Sequence, residues 1–281
     1  MPFSHQIQII FLQNWFIKHL SSKFLDPQVV PKELVPKPLW KTSYHILCNP
    51  YAFTHRRPYW FGRLHEIHVE RYMRRNLKPG DTFIDVGCNC GHHTTLGASL
   101  VGSTGRVIAF EPNKKLATRV QEHISNEGLK QVLLHSVGLG KESCSSLLYE
   151  QDPAYGMSKI DIYEKINKSI NTDSVECEVR VADEIINPNE LKGKVLLKVD
   201  VEGLEIEVLS GMQQILYSID YAIVEITPDW LQGEKGSQQI FTLMSNAKLH
   251  GYELLQNGSI GKAITPSEIH TQTDVLFLRQ T

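Results

Sequence analysis

The side chains of this chain best suited to chemistry fall at the ends of short apolar runs. One run leads into Lys198-Val199-Asp200-Val201-Glu202. Side chains alternate along a strand, so Lys198, Asp200 and Glu202 are expected on one side and Val199 and Val201 on the other. A carboxylate at a strand tip can take the proton of a hydroxyl during its attack. Asp200 is therefore the first candidate for a general base, and Glu202, Lys198, His92 and His93 are the further catalytic candidates. The structural alternative is an internal ion pair, with Glu202 as an acid favoured by the dipole of the next helix. Glu225, ending the run 221–226, is expected to face the acceptor or to pair with Lys198.

A second constellation is Asp85-Val86-Gly87-Cys88-Asn89-Cys90-Gly91, which leaves one apolar run and enters a helical pattern. Gly87, Asn89 and Gly91 tolerate the backbone conformations needed for a sharp turn and a close approach to a ligand. Dinucleotide sites use G-x-G-x-x-G with bare amides facing a pyrophosphate. Here the second glycine of that pattern is missing, and Asp85 precedes the turn; its charge would repel a pyrophosphate but can hold an ammonium. S-adenosylmethionine carries an ammonium and no phosphate, so charge selects it as the cofactor. Glu111, about twenty residues beyond Gly91, is at the usual distance for an acid that accepts from ribose hydroxyls. Pro112 follows it, and Val137 in Ser136-Val137-Gly138 marks where an adenine would lie. The expected cofactor-binding set is thus Asp85, Gly87, Asn89, Gly91, Glu111, Pro112, Val137 and Asp200.

These motifs, with Lys78-Pro79-Gly80-Asp81, Leu197 through Glu205 and Val224-Glu225-Ile226, make residues 66–226 resemble the FkbM family of S-adenosylmethionine-dependent methyltransferases. The resemblance implies a class I, Rossmann-like α/β fold, with a mostly parallel seven-stranded sheet, an antiparallel edge strand and helices on both faces. It also implies O-methylation of a sugar, glycan or other small hydroxyl compound. The chain departs from the family where Cys88 and Cys90 replace the more usual Ala and aliphatic residue, and at His92 and His93, near which an aromatic is usual. Two other function classes remain: a non-catalytic cofactor-binding scaffold, and an NAD-dependent oxidoreductase, which would share Glu111 but lacks the glycine fingerprint.

The elements that must position these residues follow from hydrophobic period. Short strands are expected at 82–86, 106–110, 131–135, 195–200 and 221–226, and helices at 63–77, 92–101, 114–127, 204–216 and 237–247. Such alternation implies a parallel sheet covered on both faces. Two closing strands, 252–255 and 274–278, are expected around a long loop as an antiparallel pair at one edge. The proline-rich stretch 26–58 is expected to be a loop-rich lead-in, giving an extension 1–62 ahead of a domain 63–281. Residues 1–20 suit an amphipathic helix that packs on the domain or on a second subunit, which makes a homodimer plausible; contact with a membrane surface is the alternative. The stretch around 168–174 is expected to be a surface loop. The stretches 26–58, 151–172 and 255–273 are expected to shape the acceptor pocket.

The bulk properties narrow the partners. In 281 residues, 21% are charged and the net charge is -2, so no basic excess argues for nucleic acid. The N-terminal segment is too short and polar to span a bilayer, and lacks the flanks of a signal peptide. Five scattered cysteines suit reduced thiols and a cytoplasmic location rather than a disulfide framework. Cys88 and Cys90 lack a second ligand pair at zinc spacing, so no metal site is assigned. An acid pair such as Asp200 and Glu202 could hold Mg²⁺ beside a sugar diol, although nothing in the sequence requires it.

Overall fold

A computed structural model describes residues 33–152, 157–161 and 174–280. The expected N-terminal helix at 1–20 and most of the 168–174 loop lie outside these residues. Within 26–58, the described part is not loop-rich throughout. Strands β1 (Val35–Pro38) and β2 (His45–Cys48) form an antiparallel hairpin, followed by helix α1 (Phe53–Phe61). Pro36 and Pro38 are tolerated because this two-stranded ribbon is all edge. Leu39, Ile46 and Cys48 pack into the same apolar cluster as Phe83 and Leu96, which ties the hairpin to the main domain.

The main sheet is built from β3 (Thr82–Val86), β4 (Arg106–Phe110), β5 (Val132–His135), β10 (Val195–Val199), β11 (Tyr221–Ile226), β12 (Leu249–Leu254), β13 (Ile260–Ala263) and β14 (Thr273–Arg279). Their spatial order is β13-β12-β14-β11-β10-β3-β4-β5. Parity along each central strand explains burial on both faces: Ile84, Val86, Leu197 and Val199 enter one core, while Phe83 and Leu196 enter the other. Helices α2 (Ile67–Asn76), α3 (His92–Val101) and α4 (Lys114–Asn126) supply the second core, and α6 (Glu205–Ser210), α7 (Gln213–Leu216) and α8 (Glu234–Asn246) the first. Connections run outward from β3 to β4 and β5 on one side and from β10 to β11 on the other. The crevice between β3 and β10 is therefore a topological switch point, where open α/β sheets bind ligands.

The class I layout expected above is present, with two differences of detail. The antiparallel strand β14 lies inside the sheet, between β11 and β12, and an eighth strand, β13, forms the edge. That eighth strand comes from the supposed long loop: Asn257-Gly258 turns the chain with Gly258 at φ +75°, and β13 folds back on β12. The expected helix 204–216 is also split into α6 and α7. A Cβ at Gly211 would stand 2.0 Å from the Gly140 carbonyl oxygen, so the chain breaks where a neighbouring loop crosses it. A separate four-stranded sheet joins β6 (Gly138–Leu139), β9 (Ser174–Arg180), β7 (Cys144–Asp152) and β8 (Met157–Asp161) in that order. A short helix α5 (Ala182–Ile185) follows β9. Among the described residues no helix is long and apolar enough to cross a membrane.

Candidate active site

A cavity of about 840 Å³ opens at the switch point. One end is made by the turn after β3. Gly87 and Gly91 hold φ of +83° and +76°, and Asn89, between them, holds +51°. Gly87 is required twice over, because an added Cβ would stand 2.0 Å from the Asp200 carbonyl oxygen. The Gly87 and Cys88 amides both donate to the Phe110 carbonyl, at 3.1 and 2.9 Å, which pins the turn to the end of β4. Glu111, the next residue after β4, accepts from the Asn89 amide at 2.8 Å and the Asn113 amide at 2.9 Å, one on each oxygen. Each oxygen keeps a lone pair for a further donor. Burial pushes its carboxyl up to about 7. Asn113 in turn caps α4 by accepting from the Lys115 and Leu116 amides.

Gly87, Asn89, Glu111, Pro112, Val137, Asp200, Lys198, Glu202 and His92 all line the cavity, as their sequence contexts suggest. Asp85 and Gly91 do not. Asp85 faces the α2–α3 side, is 1% exposed and accepts from the Thr94 hydroxyl at 2.6 Å. The strand ends at Val86, and Val86 and the turn residue Gly87 line the cavity, so this acid stands behind the wall. Burial raises its carboxyl to about 6, opposed by the Lys198 ammonium and the Thr94 hydroxyl.

The other end of the cavity is made of side chains. Lys198, 3% exposed, reaches Asp200 Oδ2 at 2.7 Å and lies 3.7 Å from Glu66 Oε2. Glu66 also faces His93 Nε2 at 3.4 Å. His68 Nε2 donates to Asp274 Oδ2 at 2.6 Å, and Gln272 Nε2 donates to Glu225 Oε1 at 2.6 Å. Burial first, then the neighbouring carboxylates, raises Glu66 to about 8 and Glu225 to about 10, with Lys198 opposing. Glu225 thus faces the cavity and takes Gln272 as its hydrogen-bond partner instead of Lys198. Sequence reasoning missed Glu66, His68, Gln272 and Asp274, which come from the start of α2 and from β14 and its approach. The positions of Gln272 and Asp274 follow from the register of β14 on β11, which an antiparallel pair of closing strands at one edge does not specify.

The expected alternation through Glu202 does not hold. The strand ends at Val199, and Glu202 and Gly203 adopt φ of +52° and +99°. Glu202 still lines the cavity, but the acid in the first helical turn that holds the loop is Glu205, whose Oε1 accepts from the Gly203 amide at 3.0 Å.

A third group stands beside the turn. His55, Cys90 and His92 have potential ligand atoms within 4.8 Å of one another. Their protons are nevertheless spoken for. The Asn49 amide donates to His55 Nδ1 at 3.0 Å, so His55 Nε2 carries the hydrogen, and it donates to Cys90 Sγ at 3.3 Å. His92 Nε2 donates to the Leu47 carbonyl at 2.6 Å. Burial lowers His55 to about 3 and His92 to about 4, which keeps both neutral. The group is a hydrogen-bonded packing cluster that fastens β2 and α1 to the turn. All five cysteines are free, and Cys88 and Cys90 are buried.

Comparison with known proteins gives this geometry a family. Residues 85–254 match the methyltransferase FkbM domain. The chain is 30% identical over 184 residues to the hexuronic acid methyltransferase AglP of Haloferax volcanii, covering 66% of this chain and 70% of that one. It is 32% identical over 214 residues to Methyltransferase 1 of Beauveria bassiana, covering 69% of this chain and 82% of the relative. A crystal structure of methyltransferase FkbM from Methylobacillus flagellatus KT is similar at 15% identity and a TM-score of 0.42, over 76% of this chain and 51% of that one. The chain spans about half the length of that protein. With the motif, the switch-point cavity and the family match in agreement, the chain belongs to the FkbM family of S-adenosylmethionine-dependent methyltransferases.

Proposed function

We propose that the chain methylates a hydroxyl oxygen of a sugar, glycan or similar small polyol. The observation that carries this is one cavity with two unlike ends: a backbone-built turn with a buried acid, and a cluster of carboxylates around a single ammonium. The first end suits the donor. Gly87, Asn89 and the backbone up to Gly91 would pass close beneath its amino-acid part, and Glu111 would accept from the ribose hydroxyls through its remaining lone pairs. Pro112 and Val137 would border the adenine. Asp85, behind the wall, would fix Thr94 and the start of α3 rather than touch the ligand. When bound, the donor supplies an electrophilic methyl group on a sulfonium.

The second end suits a neutral polyol. Carboxylates accept hydrogen bonds from sugar hydroxyls, and several of them beside one ammonium disfavour an acceptor that is itself an anion. The name of the AglP relative supports a sugar as the acceptor class, although its hexuronic acid is an anion and so differs from the neutral polyol proposed here. Asp200 sits at the boundary of the two ends and is our candidate base; Lys198 holds its Oδ2 and so aims Oδ1. Glu202 would contact the acceptor, and His92, with Nε2 committed to Leu47, would position the turn. Incubation with methyl-deuterated S-adenosylmethionine and a panel of neutral hexosides and hexuronates, read by mass spectrometry, tests the proposal. The label is expected in methyl ethers of neutral hydroxyls, and Asp200→Asn is expected to lower the rate about a hundredfold with donor affinity little changed. Label confined to nitrogen or to carboxyl esters contradicts it. Donor binding with no acceptor-dependent consumption would favour the scaffold alternative.

A further inference from the structure

Four carboxylates line the acceptor end, and among the described residues each makes its polar contacts through a single oxygen. Asp200 uses Oδ2 toward Lys198, Asp274 uses Oδ2 toward His68, and Glu225 uses Oε1 toward Gln272. Glu66 uses Oε2 toward His93 and Lys198. The second oxygens of Glu66 and Asp274, Oε1 and Oδ1, are buried with no hydrogen-bond partner among the described residues. The Asp274 side chain is only 8% exposed. Buried acceptors without a donor are costly, so each such atom calls for an explanation.

The arrangement has the dimensions of an ion site. Oxygens of Glu66, Asp200 and Glu225 lie within 4.8 Å of one another. Two oxygens bonded to one cation at about 2.0–2.6 Å can stand at most about 4–5 Å apart. Metal-binding carboxylates are themselves hydrogen-bonded by an outer ring of residues, and Lys198, His68 and Gln272 bond Asp200, Asp274 and Glu225 in that way here. Lys198 alone does not satisfy the group, because it reaches Asp200 and Glu66 and leaves Glu225 and Asp274 to other partners.

We propose that Glu66, Asp200 and Glu225, with Asp274 adjoining them, form a binding site for one divalent cation at the acceptor end of the cavity. An all-oxygen donor set selects a hard ion such as Mg²⁺, Mn²⁺ or Ca²⁺ over zinc or copper. A cation there would bind adjacent hydroxyls of a sugar diol and make one of them easier to deprotonate. That role rests on the methyl-transfer proposal; the ion site itself does not.

The test is a titration of the full chain with Mn²⁺, with free ion followed by electron paramagnetic resonance and Mg²⁺ as competitor. Wild type is expected to bind one Mn²⁺ that Mg²⁺ displaces. Gln272→Ala, which removes only an outer partner, is expected to weaken binding about tenfold, and Glu225→Gln and Asp274→Asn more strongly. If Glu225→Gln fails to fold, Gln272→Ala and Asp274→Asn carry the comparison. No bound Mn²⁺ at millimolar concentration, or equal affinity in wild type and the variants, overturns the proposal. S-adenosylhomocysteine titrated into the same samples separates the two ideas. Its binding without Mn²⁺ binding removes the ion site alone, and the reverse removes the donor assignment alone.

Discussion

The two ends of the cavity are held in different ways. At the turn 87–91 the wall is backbone, and its contacts are amide to carbonyl or amide to carboxylate within one stretch of about thirty residues. At the other end the wall is side chain against side chain, with Glu66, Lys198, Glu225 and Asp274 drawn from four elements far apart in the chain. The first arrangement is rigid and general, as suits a ligand that is the same for every member of a family. The second depends on the register of β10, β11 and β14 and can change residue by residue. If the turn holds the donor and the side-chain end the acceptor, as proposed, the two recognitions are separable in the architecture.

Lys198→Met should break the side-chain end most severely. Asp200 and Glu66 would lose their shared buried cation, at a cost of roughly 3–5 kcal/mol in stability. Urea denaturation measures this, and a loss below about 1 kcal/mol would mean that the pair behaves as a solvated one. At the backbone end, Gly87→Ala should cost roughly 2–4 kcal/mol from the clash with the Asp200 carbonyl and the positive φ combined. Gly128→Ala is the control, because it shares a positive φ (+67°) but meets nothing within 4 Å, so about 1 kcal/mol is expected. Equal losses at the two glycines would show that close approach is not what holds the turn. The smallest effect is expected from His92→Gln. Its amide can replace the donation to Leu47, so the rate should fall far less than the ~10²–10⁴-fold expected on loss of a catalytic base. A fall of that size would return His92 to the catalytic set.

The same contrast explains what the sequence reveals. The turn and Glu111 are legible because their placement depends on local conformation and on a fixed spacing after a strand. Strands β3, β4, β10 and β11 are legible because both of their faces are buried, which makes them short apolar runs. Glu66 and His68 are not legible, because they look like the start of an ordinary amphipathic helix until α2 is laid over the ends of the strands. Asp274 reads equally well as a solvated strand end. Asp85 is set on the α2–α3 face by strand parity, but parity does not show that the cavity wall is formed by the turn beyond it. The β13 hairpin has its turn signal in Asn257-Gly258, but its strand, Ile260–Ala263, carries too little apolar character to stand out from a loop.

The most direct test of the site is the affinity of S-adenosylhomocysteine for wild type and Glu111→Gln, measured calorimetrically from about pH 6 to about pH 8, with NAD⁺ as the control ligand. Hydroxyl groups donate best to an ionised carboxylate, and burial holds the Glu111 carboxyl near 7. Wild-type affinity should therefore rise across this range and level off above it, while Glu111→Gln binds more weakly and without that rise. Equal affinities and equal pH dependence in the two proteins would contradict the role of Glu111, and tighter binding of NAD⁺ would contradict the donor end as a whole.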